Sequence, residues 1–207
     1  QSLSADADYA SQETLEALEE ASEWLAGITG AQTDRMMRDD GWRLLSIGRH
    51  IERLATLSQA LLLGLKHHSL NDESGFDAMV ALFDSTITFH AQYQQRRDLV
   101  ALTHLLVMDR DNPRSLAWVV HTLRSRLAKL ANTATPQDAA LVSDLPNPDT
   151  WSLAELCRAK TDAQGQAHYP QLKALLHQCE DSASTLSNHI TRLHFSHAER
   201  HNQSLGV

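Results

Sequence analysis

The stretch "GWRLLSIGRHIERL", Gly41–Leu54, sets the fold. Leu44, Ile47, Ile51 and Leu54 recur every three or four residues, and Leu61, Leu62 and Leu65 continue the same stripe. At the pitch of an α-helix these side chains share one side, so the spacing predicts a long helix over about 34–66 with that side in a core. The opposite side carries Trp42, Leu45, Arg49, Glu52, Arg53, Thr56, Ala60 and Leu63 within an arc of roughly 100°. Charged residues thus sit between apolar ones.

A helix that is apolar on two opposite sides is normally covered on both, which predicts that Arg49, Glu52 and Arg53 are partly withdrawn from water. Arg49 and Glu52, three residues apart, can pair along the helix, leaving Arg53 without a carboxylate. Its partner is either Asp39, Asp84, Asp98 or Asp109, or an external carboxylate or phosphate. Gly48 costs roughly 1 kcal/mol inside a helix, so a close approach to its backbone is expected. Three readings stay open: an internal ion-pair network, a binding or catalytic cleft, and a solvated face. As a general base Glu52 is disfavoured, because two arginines beside it stabilise its ionised form.

Outward from this helix the chain reads as all-α, a bundle of six or seven helices. Glycine (8) and proline (5) are scarce, and Leu, Ala, Gln, Glu and Arg fill the long segments. Leu15, Leu18, Ala21, Trp24 and Leu25 predict a first helix over 14–26, stopped by Gly27 and Gly30. Phe76, Met79, Val80, Phe83 and Ile87 predict a third, running on past a kink near 92–95 to Leu106. Asn112 and Pro113 read as the cap and first position of a helix containing Leu116, Val119, Val120, Leu123 and Leu127. Pro136, Pro146 and Pro148 mark a loop over 132–150, with a helical turn around 137–142. Asp149 or Thr150 would cap a helix over 151–160, and a last helix is expected over 169–197. The division expected is a helical core over 1–131, the loop over 132–150, and C-terminal helices over 151–207 packed on the same bundle, all one domain.

The formal net charge of −8, from 26 acidic and 18 basic residues, leaves no basic excess for nucleic acid. Cys157 and Cys179, without a CxxC, suggest neither a disulfide framework nor structural zinc and fit a reducing cytoplasm. No apolar run reaches the roughly 20 residues of a membrane span. Without an initiator Met, and with mostly small or acidic residues among its first ten, the chain reads as a piece of a longer polypeptide. There is no Gly-rich phosphate loop, HExxH or Gly-x-Ser-x-Gly, so no cofactor or metal is expected. His194, His197 and His201 share a helical face, read as a frayed end rather than a metal site. His67 and His68 read as a helix terminus, Arg96 and Arg97 as a solvated face, and both cysteines as buried thiols.

Two segments resemble one family. "MMRDDGWRLLSIGRHIERL", Met36–Leu54, and "LLVMDRDNPRSLAWVVHTL", Leu105–Leu123, are similar in content and order to the alpha-E family, bacterial helical domains of unknown function named for a Glu-Arg motif. The resemblance is firm over about Gln32–Leu130, looser from Asn132 onward with its Pro-bearing loop, and extends only to the C-terminal part of the family pattern, beginning before the second of two typical Glu-Arg repeats; His50 stands where an aromatic is frequent and Leu54 where an Ala is. It implies that Arg49, Glu52 and Arg53 form the motif, with Arg38, Trp42, Asp109 and Arg114 at other family positions. Such domains accompany ATP-grasp ligase-like domains and transglutaminase-like proteases. The resemblance therefore implies a non-catalytic module of a peptide or amide ligation system, working through a charged cleft or docking surface with a protein partner or a fused ATP-grasp-like domain. An enzyme using Glu52 as acid or base, and an oligomerisation scaffold forming a homo-oligomer, are the alternatives.

Overall fold

The computed structural model describes residues 2–94, 96–131, 141–161, 163 and 165–195. Among them the chain is all-α, with eight α-helices and one pair of two-residue strands. No described helix is long and apolar enough to cross a membrane. Contacts divide the chain into two units, Gln1–Trp42 and Arg43–Val207.

The first unit contains α1, Ser2–Arg35, 34 residues long. Gly27 and Gly30 were expected to stop it, yet the helix passes through both. A helical glycine weakens a helix by about 1 kcal/mol but ends one only by turning left-handed beyond it, and neither does so here. Leu18, Trp24, Leu25 and Ile28 are exposed along its apolar stripe. The chain bends over 36–39, and Asp39 Oδ1 then accepts a hydrogen bond from the Trp42 backbone N–H at 3.0 Å. That cap starts α2, Asp40–Lys66, later than the apolar spacing alone implies.

In the second unit, the α2 stripe Ile47, Ile51, Leu54, Leu57, Leu61 and Leu65 is buried. His68, at φ 55°, turns the chain left-handed beyond the helix end. The third predicted helix proves to be three: α3 (Glu73–Leu82), α4 (Thr86–Tyr93) and α5 (Leu99–Thr103). Hydrophobic period cannot register such corners. Asp84 and Gln94 make them by adopting positive φ, and Asp98 caps α5 by accepting from the Ala101 N–H at 2.7 Å. Arg97, read as a solvated residue, instead grips Asp77 of α3 with two bonds of 2.8 and 3.0 Å.

After α5 the chain widens into a π-helical turn, His104–Met108, and α6 spans Leu116–Ala131. A 3-10 turn at Pro148–Thr150 and one turn of α7, Leu153–Leu156, replace the helix expected over 151–160. Asp149 and Thr150 cannot cap α7, since Asp149 pairs with Arg110 and the Thr150 hydroxyl donates to the Asn147 carbonyl. Strands β1 (Lys160–Thr161) and β2 (Ala167–His168) pair antiparallel. Then α8, Pro170–Ile190, buries Leu172, Leu176, Cys179, Ala183 and Leu186, with a π-helical turn to Phe195 beyond it. Pro136 and most of the helical turn expected around 137–142 lie outside the described residues. One apolar cluster joins α2 through α8.

Candidate functional site

The π-helical turn positions the site. Its widened register sends the Asp109 N–H to the His104 carbonyl at 2.8 Å, which strips the Leu105 carbonyl of its ordinary helical donor. The buried Asn112 side chain supplies one, donating from Nδ2 at 2.9 Å, while its Oδ1 accepts from the Arg114 N–H at 3.0 Å. Asn112 therefore caps the turn rather than α6. Ser115 holds the other end: its hydroxyl donates to the Asp109 carbonyl and accepts from the Trp118 N–H, at the start of α6. The Asn-Pro-Arg-Ser segment is thus pinned from both sides.

This turn presents the Pro113 carbonyl to α2, where Arg53 Nη1 donates to it at 3.2 Å. No carboxylate among the described residues pairs with Arg53. Asp84 is taken by Arg114 at 2.7 Å, Asp98 by Arg96 at 2.5 Å and by its cap, and Asp109 accepts from the Asp111 N–H at 2.9 Å. Burial lowers the Arg53 pKa, and the nearby Arg114 and Arg49 charges lower it further. It is a half-buried cation among cations, still protonated at neutral pH because guanidinium starts so high.

The triplet is not uniformly withdrawn from water as its apolar neighbours imply. Arg53 is half-buried, but Arg49 and Glu52 are exposed, as are Thr56 and Leu63, so that side of α2 is only partly covered. Glu52 makes no hydrogen bond or ion pair with any described residue. Gly48 faces open space: a Cβ there would meet nothing within 4 Å, which removes the close approach expected of it. Arg38 and Trp42 form their own pair, the guanidinium lying 4.1 Å from the indole centroid, with Arg38 also donating to the Thr33 carbonyl at 3.3 Å.

His50, not singled out among the site residues, lies beside this cluster. Its ring stacks on Trp118 at 5.5 Å, and Nδ1 donates to the Ser46 carbonyl at 2.6 Å. That bond fixes the proton on Nδ1 and leaves Nε2 buried without a partner among the described residues. Burial pushes its pKa down, the Ser46 bond opposes this, and Arg53, Arg126 and Arg49 push it down further. The sequence signal was available in a histidine one residue from a cationic stripe.

Elsewhere the chemistry is quiet. Cys179 is buried against Ser58, its thiol pushed up to about 12, and burial raises Cys157 as well; neither is an activated nucleophile. Among the described residues no three His, Cys, Asp or Glu side chains group as metal ligands. His197 and His201 lie outside those residues. The charged groups on α2 and the turn before α6 can hold an anion through planar, fork-like donors.

The chain is 30% identical over 119 residues to an uncharacterized protein of Mycobacterium bovis, and equally to uncharacterized proteins of two strains of Mycobacterium tuberculosis. Each match covers 55% of this chain but only 13% of the relative, so the chain corresponds to a small part of far longer proteins. No solved structure matches significantly. With the Glu52-Arg53 pair set on an all-helical frame, and with the family's model matching residues 1–195, the chain belongs to the Alpha-E family, described as a predicted alpha-helical domain with a conserved ER motif.

Proposed function

We propose that this domain is a non-catalytic helical module of a peptide or amide ligation system, which docks an anionic group of a partner at Arg49, Arg53 and Arg114. The partner is a protein of that system or an ATP-grasp-like domain fused to the same polypeptide, in a reducing cytoplasm. One observation carries the reading: Arg53 is half-buried, repelled by two other guanidinium groups, and held by a carbonyl rather than a carboxylate. A structural ion pair would have matched that charge, because an uncompensated buried cation is destabilising. A carboxylate or phosphate arriving from outside matches it instead.

The test is calorimetric titration of the protein with peptides bearing a free or an amidated C-terminus, and with ATP. Binding that needs the free carboxylate or the phosphates, and that Arg53→Met abolishes while thermal stability holds or rises, is the expected result. Absence of binding to every probe at millimolar concentration would remove the docking role. A fall in stability in Arg53→Met with binding intact would make the cluster structural.

A further inference from the structure

A second surface, apart from the arginine cluster, carries an inference that does not depend on it. Between the C-terminal half of α2 and the start of α8 lies an open groove of about 390 Å³. From α2 it is lined by Gln59, Leu62, Leu63 and Lys66, at i, i+3, i+4 and i+7; from α8 it is lined by Lys173, His177 and Glu180, at i, i+4 and i+7. These are the spacings with which one helix receives another, and here two helices packed against each other offer both sides of a seam for a third. Leu62 and Leu63 form its floor, and Leu63 is 58% exposed.

The charges around that floor select the occupant. The chain as a whole carries a net charge of −8, yet cationic side chains gather at this groove. Its one carboxylate, Glu180, is already engaged: it accepts from Gln59 Nε2 at 3.0 Å and faces His177 Nδ1 at 3.6 Å. Neither Lys66 nor Lys173 has a carboxylate partner among the described residues. In a helical seam the flanking charges choose the partner, with matched signs favouring a pair and like signs opposing it.

We infer that the groove receives an acidic amphipathic helix of a partner protein, its apolar stripe over Leu62 and Leu63 and its glutamates or aspartates on Lys66 and Lys173. Helix-in-groove docking reads apolar anchors at this repeat, and a groove of this size accommodates one or two large side chains.

The probe is a capped helical peptide of Leu, Glu and Ala, with leucines at i, i+3, i+4 and i+7 between flanking glutamates. Two controls accompany it, one with lysine for each glutamate and one with serine for each leucine. Fluorescence anisotropy and amide NMR on the whole chain are expected to show saturable binding, with shifts centred on Leu62, Leu63, Lys66 and Lys173. Lys66→Glu with Lys173→Glu should weaken binding at least about tenfold, as should Leu63→Ser, while melting stays cooperative and shifts only slightly, since Lys66 and Leu63 are exposed and Lys173 is half-buried. Arg53→Met should leave this binding as it was, which separates it from docking at the arginine cluster. Equal binding of the lysine or serine peptide would overturn the inference. So would peptide binding that ignores the groove variants, or binding to phosphatidylglycerol vesicles, lost in those variants, with no binding to the peptide.

Discussion

Gly48 and Gly64 sit in one helix and should answer the same substitution with opposite signs. At Gly48 an added Cβ meets nothing within 4 Å, so Gly48→Ala gains helix propensity without a clash and should raise stability by about 0.5–1 kcal/mol. At Gly64 the same carbon would fall 2.8 and 2.9 Å from Leu70 side-chain atoms and 3.1 Å from the Met79 methyl. Overpacking of that kind should cost about 1–3 kcal/mol. Urea denaturation of the two variants checks both signs. His50 gives the residue-scale prediction in pH. In the unfolded chain it titrates near 6.5, and in the fold burial and the surrounding arginines push it lower. As pH falls below 6.5 the unfolded state takes up a proton that the native state refuses, so the stability tied to this ring is complete above that value. It drains away toward the depressed native value. His50→Phe keeps an aromatic against Trp118 but cannot titrate, and its urea midpoint should fall less than that of the parent between about pH 7.5 and about pH 5.5. Equal falls would show that His50 does not couple to folding.

At the scale of elements, the turn before α6 is the part that the candidate site depends on. Asn112 both supplies the donor that the π-helical turn takes from Leu105 and accepts from Arg114. Asn112→Ala leaves a buried carbonyl unsatisfied, so it should cost about 1–3 kcal/mol, and by loosening Pro113 and Arg114 it should also weaken anion binding at Arg53. Asn112→Asp, which keeps the acceptor and loses the donor, should destabilise while retaining part of the Arg114 contact; circular dichroism melts and titration read the two effects apart. This coupling also explains how far the chain could be read directly. Period-3.6 apolar stripes in α2, α6 and α8 predicted those helices because their burial is one-sided and regular. The kink expected near 92–95 falls at Gln94, whereas the corners at Asp84 and His104–Met108 were not legible, since they depend on a single positive φ angle and a register change that leave no hydrophobic trace. For the site, the excess cation at Arg53 was visible as a charge without a match within its helix. Its carbonyl partner was not, because Pro113 reaches it only through that π-helical turn.

At the scale of the molecule, the two units differ in what holds them. Every residue of the buried apolar cluster lies between Ile47 and Ile190, inside the second unit, whereas Leu15, Leu18, Trp24 and Leu25 of α1 are exposed. Where the apolar side chains of a helix are exposed, as over 14–32, its stability rests on propensity and length rather than on burial, and most helical stability in proteins comes from packing. A packed domain opens its core amides only by unfolding, at about 5 kcal/mol or more. Native-state hydrogen exchange should therefore separate the units: amides of 14–32 should exchange at least about a thousandfold faster than those of Leu54–Leu61, Leu102–Val107 and Leu116–Leu127. Adding urea should move the core amides with the global transition and leave the α1 amides almost unchanged, since little surface is exposed when they open. Core-like protection across 14–32 in the free protein would mean that the α1 stripe is covered in solution. In that case its rate should depend on protein concentration if a second copy supplies the cover, and be independent of it if the same chain does.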